Sequence, residues 1–163
     1  MIFRPFEMLS ALAEGQVEFI SVGGVAGRLH RASVLTEDLD IVHRRTPENI
    51  ERLMSVIEQM DAHFRHDLAR RKLRPRPSDL AGHGHVLLQT PHGHIDLLCE
   101  ISGQRGYDEL LPHSIVIADR GLSLQVLDLP TLIQVKIEVG RPKDKAAVPI
   151  LIAALEAQKK PAG

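Results

Sequence analysis

The stretch that decides the fold of this chain runs from Phe19 to Val42: FISVGG at 19–24, a connector at 25–35, and TEDLDIV at 36–42. The apolar, β-branched run before the glycines predicts a buried strand, and the second run predicts another strand that opens with two carboxylates. The connector is long enough for two to three helical turns. Strand, helix and strand in this order indicate an α/β architecture.

Asp38 and Asp40 form an acidic pair at the start of the second strand. Residues i and i+2 of a strand face the same side, about 7 Å apart, so the two carboxylates point the same way. Like charges this close repel unless a cation lies between them, and Mg²⁺ is a cation that prefers oxygen ligands. The alternative is an acidic strand end that lies in solvent.

Gly23 and Gly24 lie where the first strand ends. Glycine lets the backbone approach a phosphate closely, and a helix that starts here would direct free N–H groups at the anion. Together with the acidic pair, the glycines outline a site for a nucleotide and a metal ion.

The run Ser21-Val22-Gly23-Gly24, followed by His30 and by Thr36-x-Asp38-x-Asp40-Ile41, resembles the minimal nucleotidyltransferases of the polymerase-beta-like superfamily. Within that superfamily it is most similar to the bacterial toxin-type group. The resemblance implies an α/β (α+β) nucleotidyltransferase fold, with a central mixed β-sheet flanked by helices, in a single nucleotidyltransferase-like domain over residues 1–163.

The resemblance also implies the site residues. Asp38, Asp40 and Asp96 would be the catalytic and metal-binding carboxylates of a two-metal Mg²⁺ site, with Asp96 nearest the acceptor hydroxyl. The implied reaction moves a nucleoside monophosphate from a nucleoside triphosphate (NTP), ATP among them, to a hydroxyl and releases pyrophosphate. The implied nucleotide-binding residues are Ser21, Gly23, Gly24, Thr36, Lys136, Arg141 and Lys143.

Asp96 lies in an otherwise apolar run. The segments 85–90 and 94–99 predict a β-hairpin around a turn at 91–93. A carboxylate among apolar neighbours is unfavourable unless it binds a cation or a hydrogen-bond donor. The metal site is one explanation, and a salt-bridged core acid is the other.

Two segments, 46–49 and 128–130, combine a capping side chain with proline near the first helical position. They predict a helix over 46–61 and a second helix that ends at Gly140. Period-two alternation from 133 to 139 would favour a strand for the second, but the cap and the family resemblance favour a helix.

Lys136 lies on the apolar stripe of that second helix. A lysine on a buried stripe either contacts a phosphate or extends from the helix edge to solvent. A charged turn at 141–144 and a final helix over 146–157 are predicted to follow. The other members of the stripe are Leu129, Leu132, Ile133 and Ile137.

The segment 65–77 is basic and contains two prolines. Such a segment is usually a solvated loop, and the alternative is a phosphate or RNA contact beside the site. Its basic residues are Arg65, Arg70, Arg71, Lys72, Arg74 and Arg76.

Val34 departs from the pattern of the resembling family, which has an arginine two positions before the threonine of Thr-x-Asp-x-Asp. Arg28 or Arg31 could replace it, or the nucleotide could be held differently. The alternative function is therefore a catalytically silent relative that binds a nucleotide or a partner protein.

Composition limits the remaining function classes. The net charge is −1 and the pI about 6.8, so nucleic-acid binding would need a local basic patch. One cysteine suits a reducing compartment. With no apolar run of membrane-spanning length and no signal-peptide pattern, we expect a cytoplasmic protein with no membrane association.

Partners and acceptors follow only from the resemblance. The acceptor would be a tRNA end, a protein side chain or a small molecule such as an antibiotic, and a toxin-type protein would pair with an antitoxin or another partner protein. The histidine pairs at 83/85 and 92/94 lie too far apart on the predicted strands to share one ion, so no zinc is expected.

Overall fold

The computed structural model describes residues 2–67, 69 and 71–160. Its helices are α1 (Pro5–Glu14), α2 (Gly23–Leu29), α3 (Pro47–Gln59), α4 (Pro77–Leu80), α5 (Tyr107–Leu110), α6 (Leu129–Val139) and α7 (Pro142–Lys159), with a 3₁₀ turn at Leu111–His113. Its strands are β1 (Phe19–Val22), β2 (Asp38–His43), β3 (His63–Phe64), β4 (His85–Thr90), β5 (Gly93–Leu98), β6 (Ser114–Asp119) and β7 (Leu122–Leu127).

Within the described ranges, the strands form one seven-stranded sheet in the order β3-β4-β5-β2-β1-β7-β6. β2 is antiparallel to β1 and parallel to β5, and β1 is parallel to β7, so the sheet is mixed. Helices flank this sheet. The predicted α/β (α+β) architecture, a central mixed β-sheet flanked by helices, is confirmed.

β2 separates the core from the open face of the sheet. Leu39 and Ile41 point to one side and are fully buried, whereas Asp38 and Asp40 point to the other side and are partly exposed. Each fully buried aliphatic side chain stabilises the fold by about 1.5–3 kcal/mol. The buried residues therefore fix the strand, and the acidic residues are left on the face that can bind a ligand.

The predicted hairpin and the helical assignment of α6 are confirmed. β4 and β5 pair from His85 opposite Leu98 to Thr90 opposite Gly93. α6 begins after Asp128, whose side chain accepts a hydrogen bond from the Thr131 backbone N–H at 2.9 Å. The helix cap thus outweighs the period-two alternation.

Two predictions about the end of the chain are wrong. Ile137 was placed on the buried stripe of α6, but it is 62% exposed. The predicted charged turn at 141–144 is instead the first turn of α7, because Pro142 takes the first helical position and Asp144 accepts the Arg141 backbone N–H at 3.2 Å. No helix in the described part of the chain, α7 included, combines the length and apolar character needed to cross a membrane.

Candidate active site

Asp38, Asp40 and Asp96 lie together on the open face of the sheet. In the parallel pair of β2 and β5, Asp40 is directly opposite Asp96, and Asp38 is opposite His94. The two carboxylates are close enough for Asp96 to influence the pKa of Asp40. The structure therefore brings together the three carboxylates that the sequence placed on two separate strands.

The environment of Asp40 disfavours its charged form. Burial raises the pKa of Asp40 to about 8, with further contributions from the hydrogen bond to Asp96 and from the negative charges of Asp96 and Asp38. The positive charge of Lys136 opposes this rise. The raised pKa favours the protonated form of Asp40 near neutral pH when no cation is bound.

The glycine pair leaves room for the residues of the 36–40 segment. Gly23 has φ +73°, and a Cβ added to it would lie 2.2 Å from Asp40 Oδ2. A Cβ on Gly24 would lie 2.6 Å from Thr36 Cβ. Both glycines therefore allow the backbone to pack closely against Asp40 and Thr36. This packing requires glycine at both positions whether or not a phosphate binds there.

Thr36 and His94 hold Asp38. The Asp38 backbone N–H donates to Thr36 Oγ1 at 3.3 Å, and Thr36 Oγ1 lies 3.0 Å from the Asp38 carbonyl oxygen. His94 Nδ1 lies 3.2 Å from Asp38 Oδ1. The contacts of Thr36 are thus with the backbone at the start of β2, and its predicted nucleotide contact stays a prediction.

Lys136 and Arg141 share a second buried carboxylate. Lys136 Nζ donates to Asp144 Oδ1 at 3.1 Å, and Arg141 Nε donates to Asp144 Oδ2 at 2.7 Å. Burial would raise the pKa of Asp144, but the hydrogen bonds from Arg141 and Lys136 lower it to about 2. Asp144 was not among the predicted site residues, although its spacing within Arg141-Pro142-Lys143-Asp144 is the signal that could have indicated it.

Ser21 and Lys143 do not line the cleft that contains Asp40. Ser21 is fully buried in β1, and its hydroxyl has no hydrogen-bond partner among the described residues. Lys143 is exposed in the first turn of α7. Their nucleotide-binding roles stay predictions.

His30 and Val34 belong to the packing around α2. His30 is buried, with Nε2 2.8 Å from the Leu127 carbonyl oxygen. Val34 is buried too, and a Cβ on Gly27 would lie 3.0 Å from its Cγ2. The position where the resembling family has an arginine is thus occupied by a core side chain.

An open cleft of about 860 Å³ reaches the site at Asp40, whereas Asp38 and Asp96 do not line it. Asp40, Lys136 and Arg141 lie on its wall, as do Arg45 and Glu100. Pockets of about 300–1,000 Å³ accommodate small ligands and cofactors, so the cleft can hold a nucleotide. Its apolar lining includes Leu98, Leu132, Val135 and Val139.

The sequence did not indicate the polar group formed by Arg45, His83 and Glu100. Arg45 Nη1 donates to the Gly82 carbonyl oxygen at 2.6 Å and lies 3.4 Å from Glu100 Oε1, which also contacts His83 Nδ1. The hydrogen bond to His83 lowers the pKa of Glu100. One signal was available for Glu100, since it continues the period-two series of residues 94, 96 and 98 along β5.

The basic segment 65–77 divides between the site and the surface. Arg65 pairs with Asp96. The other described basic side chains with recorded ion pairs contact acids elsewhere, as the solvated-loop interpretation predicts, while Arg70 lies outside the described residues. These pairs are Arg71 with Asp67, Lys72 and Arg74 with Asp61, and Arg76 with Asp79.

The donor set at the site suits a magnesium ion. Carboxylate oxygens are the ligands that Mg²⁺ prefers, and the negative charges of Asp96 and Asp38 add to the effect of burial in raising the pKa of Asp40. In the described ranges, no three His, Cys, Asp or Glu side chains are grouped closely enough to hold one ion. Ligation of one ion by all three carboxylates would therefore require their side chains to move closer together. In the structure, Asp96 contacts Arg65 and Asp38 contacts His94.

Comparison with solved structures identifies the fold class. No protein-family model and no curated protein sequence matches the chain. The antibiotic-resistance factor ANT(2'')-Ia aligns with a TM-score of 0.62 at 12% identity, over 95% of this chain and 84% of that one. Its complex with adenylyl-2''-tobramycin gives a TM-score of 0.60 at 13% identity, over 95% and 89%.

Two further solved structures have a similar fold. The lincosamide antibiotic adenylyltransferase LnuA, with lincomycin bound, aligns with a TM-score of 0.62 at 9% identity, over 92% of this chain and 95% of that one. A Thermotoga maritima protein, TM1012, provisionally assigned as a nucleotidyltransferase, gives 0.56 at 12% identity, over 93% and 96%. The chain therefore has the fold of these nucleotidyltransferases, which confirms the predicted resemblance at the level of the fold.

Proposed function

We propose that the chain is a magnesium-dependent nucleotidyltransferase that moves a nucleoside monophosphate from an NTP to a hydroxyl acceptor. The observation that carries this proposal is the position of Asp40 directly opposite Asp96, with Asp38 on the same face. Asp40 also lies on the wall of a cleft large enough for a nucleotide. The raised pKa of Asp40 supports it, because a divalent cation would replace the proton that this pKa favours.

In this reaction the acceptor oxygen attacks the α-phosphorus of the NTP. The bond between the α-phosphorus and the oxygen that bridges it to the β-phosphate breaks, and pyrophosphate leaves. The acceptor hydroxyl loses its proton to Asp96, the site carboxylate assigned to the acceptor side. Mg²⁺ held by Asp38, Asp40 and Asp96 would neutralise developing charge and lower the pKa of the attacking hydroxyl.

The chain's cations would bind the phosphates. Lys136 and Arg141 line the cleft, and both interact electrostatically with Asp40. Their shared partner Asp144 fixes their positions, so that two positive charges face the place where the triphosphate would lie. The α2 backbone at Gly23 and Gly24, Thr36, and more remotely Ser21 and Lys143, complete the proposed nucleotide-binding set.

A small hydroxylated molecule is the first candidate acceptor. ANT(2'')-Ia has been seen with an adenylylated aminoglycoside and LnuA with lincomycin. The basic segment after β3 is largely neutralised by Asp61, Asp67 and Asp79, which reduces the positive charge available to RNA. A tRNA end or a protein side chain, with an antitoxin as partner, is the second candidate and follows from the toxin-type resemblance.

The test incubates the protein with Mg²⁺ and each NTP, labelled at the α- or the γ-phosphate, together with hydroxylated small molecules, tRNA or cellular protein. We expect label from the α-phosphate, and not from the γ-phosphate, on the acceptor, and none with Asp40→Asn or Asp96→Asn. Arg74→Gln serves as the control variant, because Arg74 pairs with Asp61 outside the site. Transfer of the γ-label would indicate a phosphotransferase, and nucleotide binding with no transfer would indicate a binding-only relative.

A further inference from the structure

Among the described residues of the basic segment, Arg65 reaches the candidate site. Its backbone N–H donates to the Leu87 carbonyl oxygen at 3.0 Å, and its Nη2 donates to the Leu88 carbonyl oxygen at 3.1 Å. The same Nη2 donates to Asp96 Oδ1. The guanidinium is therefore anchored on β4 and extends to the carboxylate on β5.

This ion pair differs from a surface salt bridge. The Arg65 and Asp96 side chains are only 14% and 13% exposed. Removing two charges from water costs several kcal/mol per ion, so a buried pair is weak evidence for a contribution to stability. Arg74 of the same segment, at 39% exposure, pairs instead with the half-exposed Asp61.

The charges around Asp96 explain what Arg65 supplies. Three carboxylates lie on this face, and Lys136, the cation that acts on Asp40, is hydrogen-bonded to Asp144. Arg65 is the cation in direct contact with Asp96. Because a guanidinium is planar and donates in fixed directions, it restricts the orientation of the carboxylate as well as balancing its charge.

We propose that Arg65 is a positioning residue that orients the Asp96 carboxylate for metal binding and is not itself a ligand. The inference rests on the metal site of the proposed function. Carboxylates that ligate metals are themselves held by hydrogen-bonding neighbours, and loss of such a neighbour typically weakens metal affinity by about 10- to 100-fold. An arginine that merely competed with the ion for Asp96 would have the opposite effect when removed.

The test measures the binding of Mn²⁺ alone, without nucleotide, by calorimetry. Wild type is compared with Arg65→Gln, Arg65→Lys and the control Arg74→Gln. We expect Arg65→Gln to weaken Mn²⁺ binding by about 10- to 100-fold, Arg65→Lys to restore part of the loss because it keeps the charge, and Arg74→Gln to match wild type. Thermal unfolding of each variant verifies that it is folded. If Arg65→Gln does not fold, the Mn²⁺ affinity of Arg65→Lys is compared with that of wild type instead.

A second measurement isolates the dependence on Asp96. Arg65→Gln is added to Asp96→Asn, and we expect no further loss of Mn²⁺ affinity, since a residue that acts through Asp96 has nothing left to orient. Additive losses in the double variant overturn the proposal. So do unchanged or tighter Mn²⁺ binding by Arg65→Gln, and failure of wild type to bind Mn²⁺.

Because Mn²⁺ binding is measured without an NTP, the result is independent of transferase activity. Arg65-dependent Mn²⁺ binding in a protein that transfers no nucleotide would refute the proposed function and leave the role of Arg65 standing. If instead the protein transfers nucleotide and Arg65→Gln binds Mn²⁺ as tightly as wild type, the proposed function stands and the role of Arg65 is refuted. In active protein, we also expect Arg65→Gln to raise the Mg²⁺ concentration for half-maximal rate and to lower kcat more than it raises KM for the NTP.

Discussion

Asp40 and Asp144 lie on the wall of the same cleft, and their pKa values are shifted in opposite directions. The pKa of Asp144 is lowered to about 2 because Arg141 and Lys136 both donate to it. The pKa of Asp40 is raised to about 8 because it is buried beside Asp96 and Asp38. Asp144 is hydrogen-bonded to two cationic side chains, whereas Asp40 lies beside two other carboxylates and interacts with Lys136 and Arg141 through their charges. Perturbed carboxylates of the second kind are the ones expected to act on a ligand.

The largest effect on activity is expected for Asp40→Asn. The amide keeps the shape of the side chain but removes the negative charge that would hold Mg²⁺, so we expect transfer to fall by about 10²–10³-fold or more. The measurement is label transfer from the α-phosphate at saturating Mg²⁺. Activity within a few-fold of wild type would remove Asp40 from the proposed metal site.

The pH dependence of stability provides the second test. Asp40 binds its proton more tightly in the folded state, at a pKa of about 8, than in the unfolded state, where a value near 3.8 applies. The free energy of unfolding of the metal-free protein should therefore fall as pH rises from about 4 to 8, with this contribution absent in Asp40→Asn. Urea unfolding in EDTA at several pH values measures it, and parallel profiles for the two proteins would contradict the electrostatic account.

Asp144→Asn is expected to be destabilising rather than to act on the metal. The substitution weakens two charge-assisted hydrogen bonds at a buried carboxylate. We expect the free energy of unfolding to fall by about 2 kcal/mol, after allowance for the exposure of Arg141. The contribution of Asp144 is present above about pH 4 and is lost as pH falls toward 2. Urea unfolding at pH 7 measures the loss.

Glu138→Gln is the matched control for Asp144→Asn. Glu138 is also bound to an arginine, Arg105, but its side chain is 34% exposed, so we expect its loss to destabilise the fold less than the loss of Asp144. Equal destabilisation by the two variants would show that burial does not distinguish the two acids.

The most specific effect is expected for Gly23→Ala, with Gly121→Ala as its partner. Both glycines have positive φ, +73° and +80°, so each alanine pays a similar backbone penalty of about 1–2 kcal/mol. Only at Gly23 would the new Cβ also meet Asp40 Oδ2, at 2.2 Å, whereas nothing lies within 4 Å at Gly121. We expect Gly23→Ala to lose more thermal stability than Gly121→Ala, because of the overlap with Asp40, and we expect a loss of Mn²⁺ affinity for Gly23→Ala alone. Equal Mn²⁺ binding by both variants would argue against close packing at Asp40.

Most of the fold could be predicted because its signals are local. The hairpin at 85–98 and the helix after Asp128 follow from alternation, turn residues and caps within short windows. Pro142 was equally local evidence for a helix start, yet the charged residues around it were interpreted as a turn. The exposure of Ile137 was not predictable from period alone, because burial depends on which side of α6 the last helix packs against.

The carboxylates of the candidate site could be predicted from the sequence, but the side chains that contact them could not. Asp38 and Asp40 share a face by strand geometry, and Asp96 stood out as an acid in an apolar run. The contact of Arg65 with Asp96 joins residues 31 positions apart, and Lys136 with Asp144 depends on how two helices pack. Such contacts depend on tertiary structure, which a pattern along the chain does not contain.

The parallel pairing of β2 with β5 has one further consequence. Side chains alternate between the two faces of a strand, so a shift of one residue in this pairing would set Leu39 or Ile41 beside Asp96 on the open face and turn a carboxylate into the core. Any pairing that buries Leu39, Ile41, Ile95 and Leu97 therefore also leaves Asp38, Asp40 and Asp96 on the same open face. The apolar interior and the shared face of the acids thus follow from one choice of strand orientation.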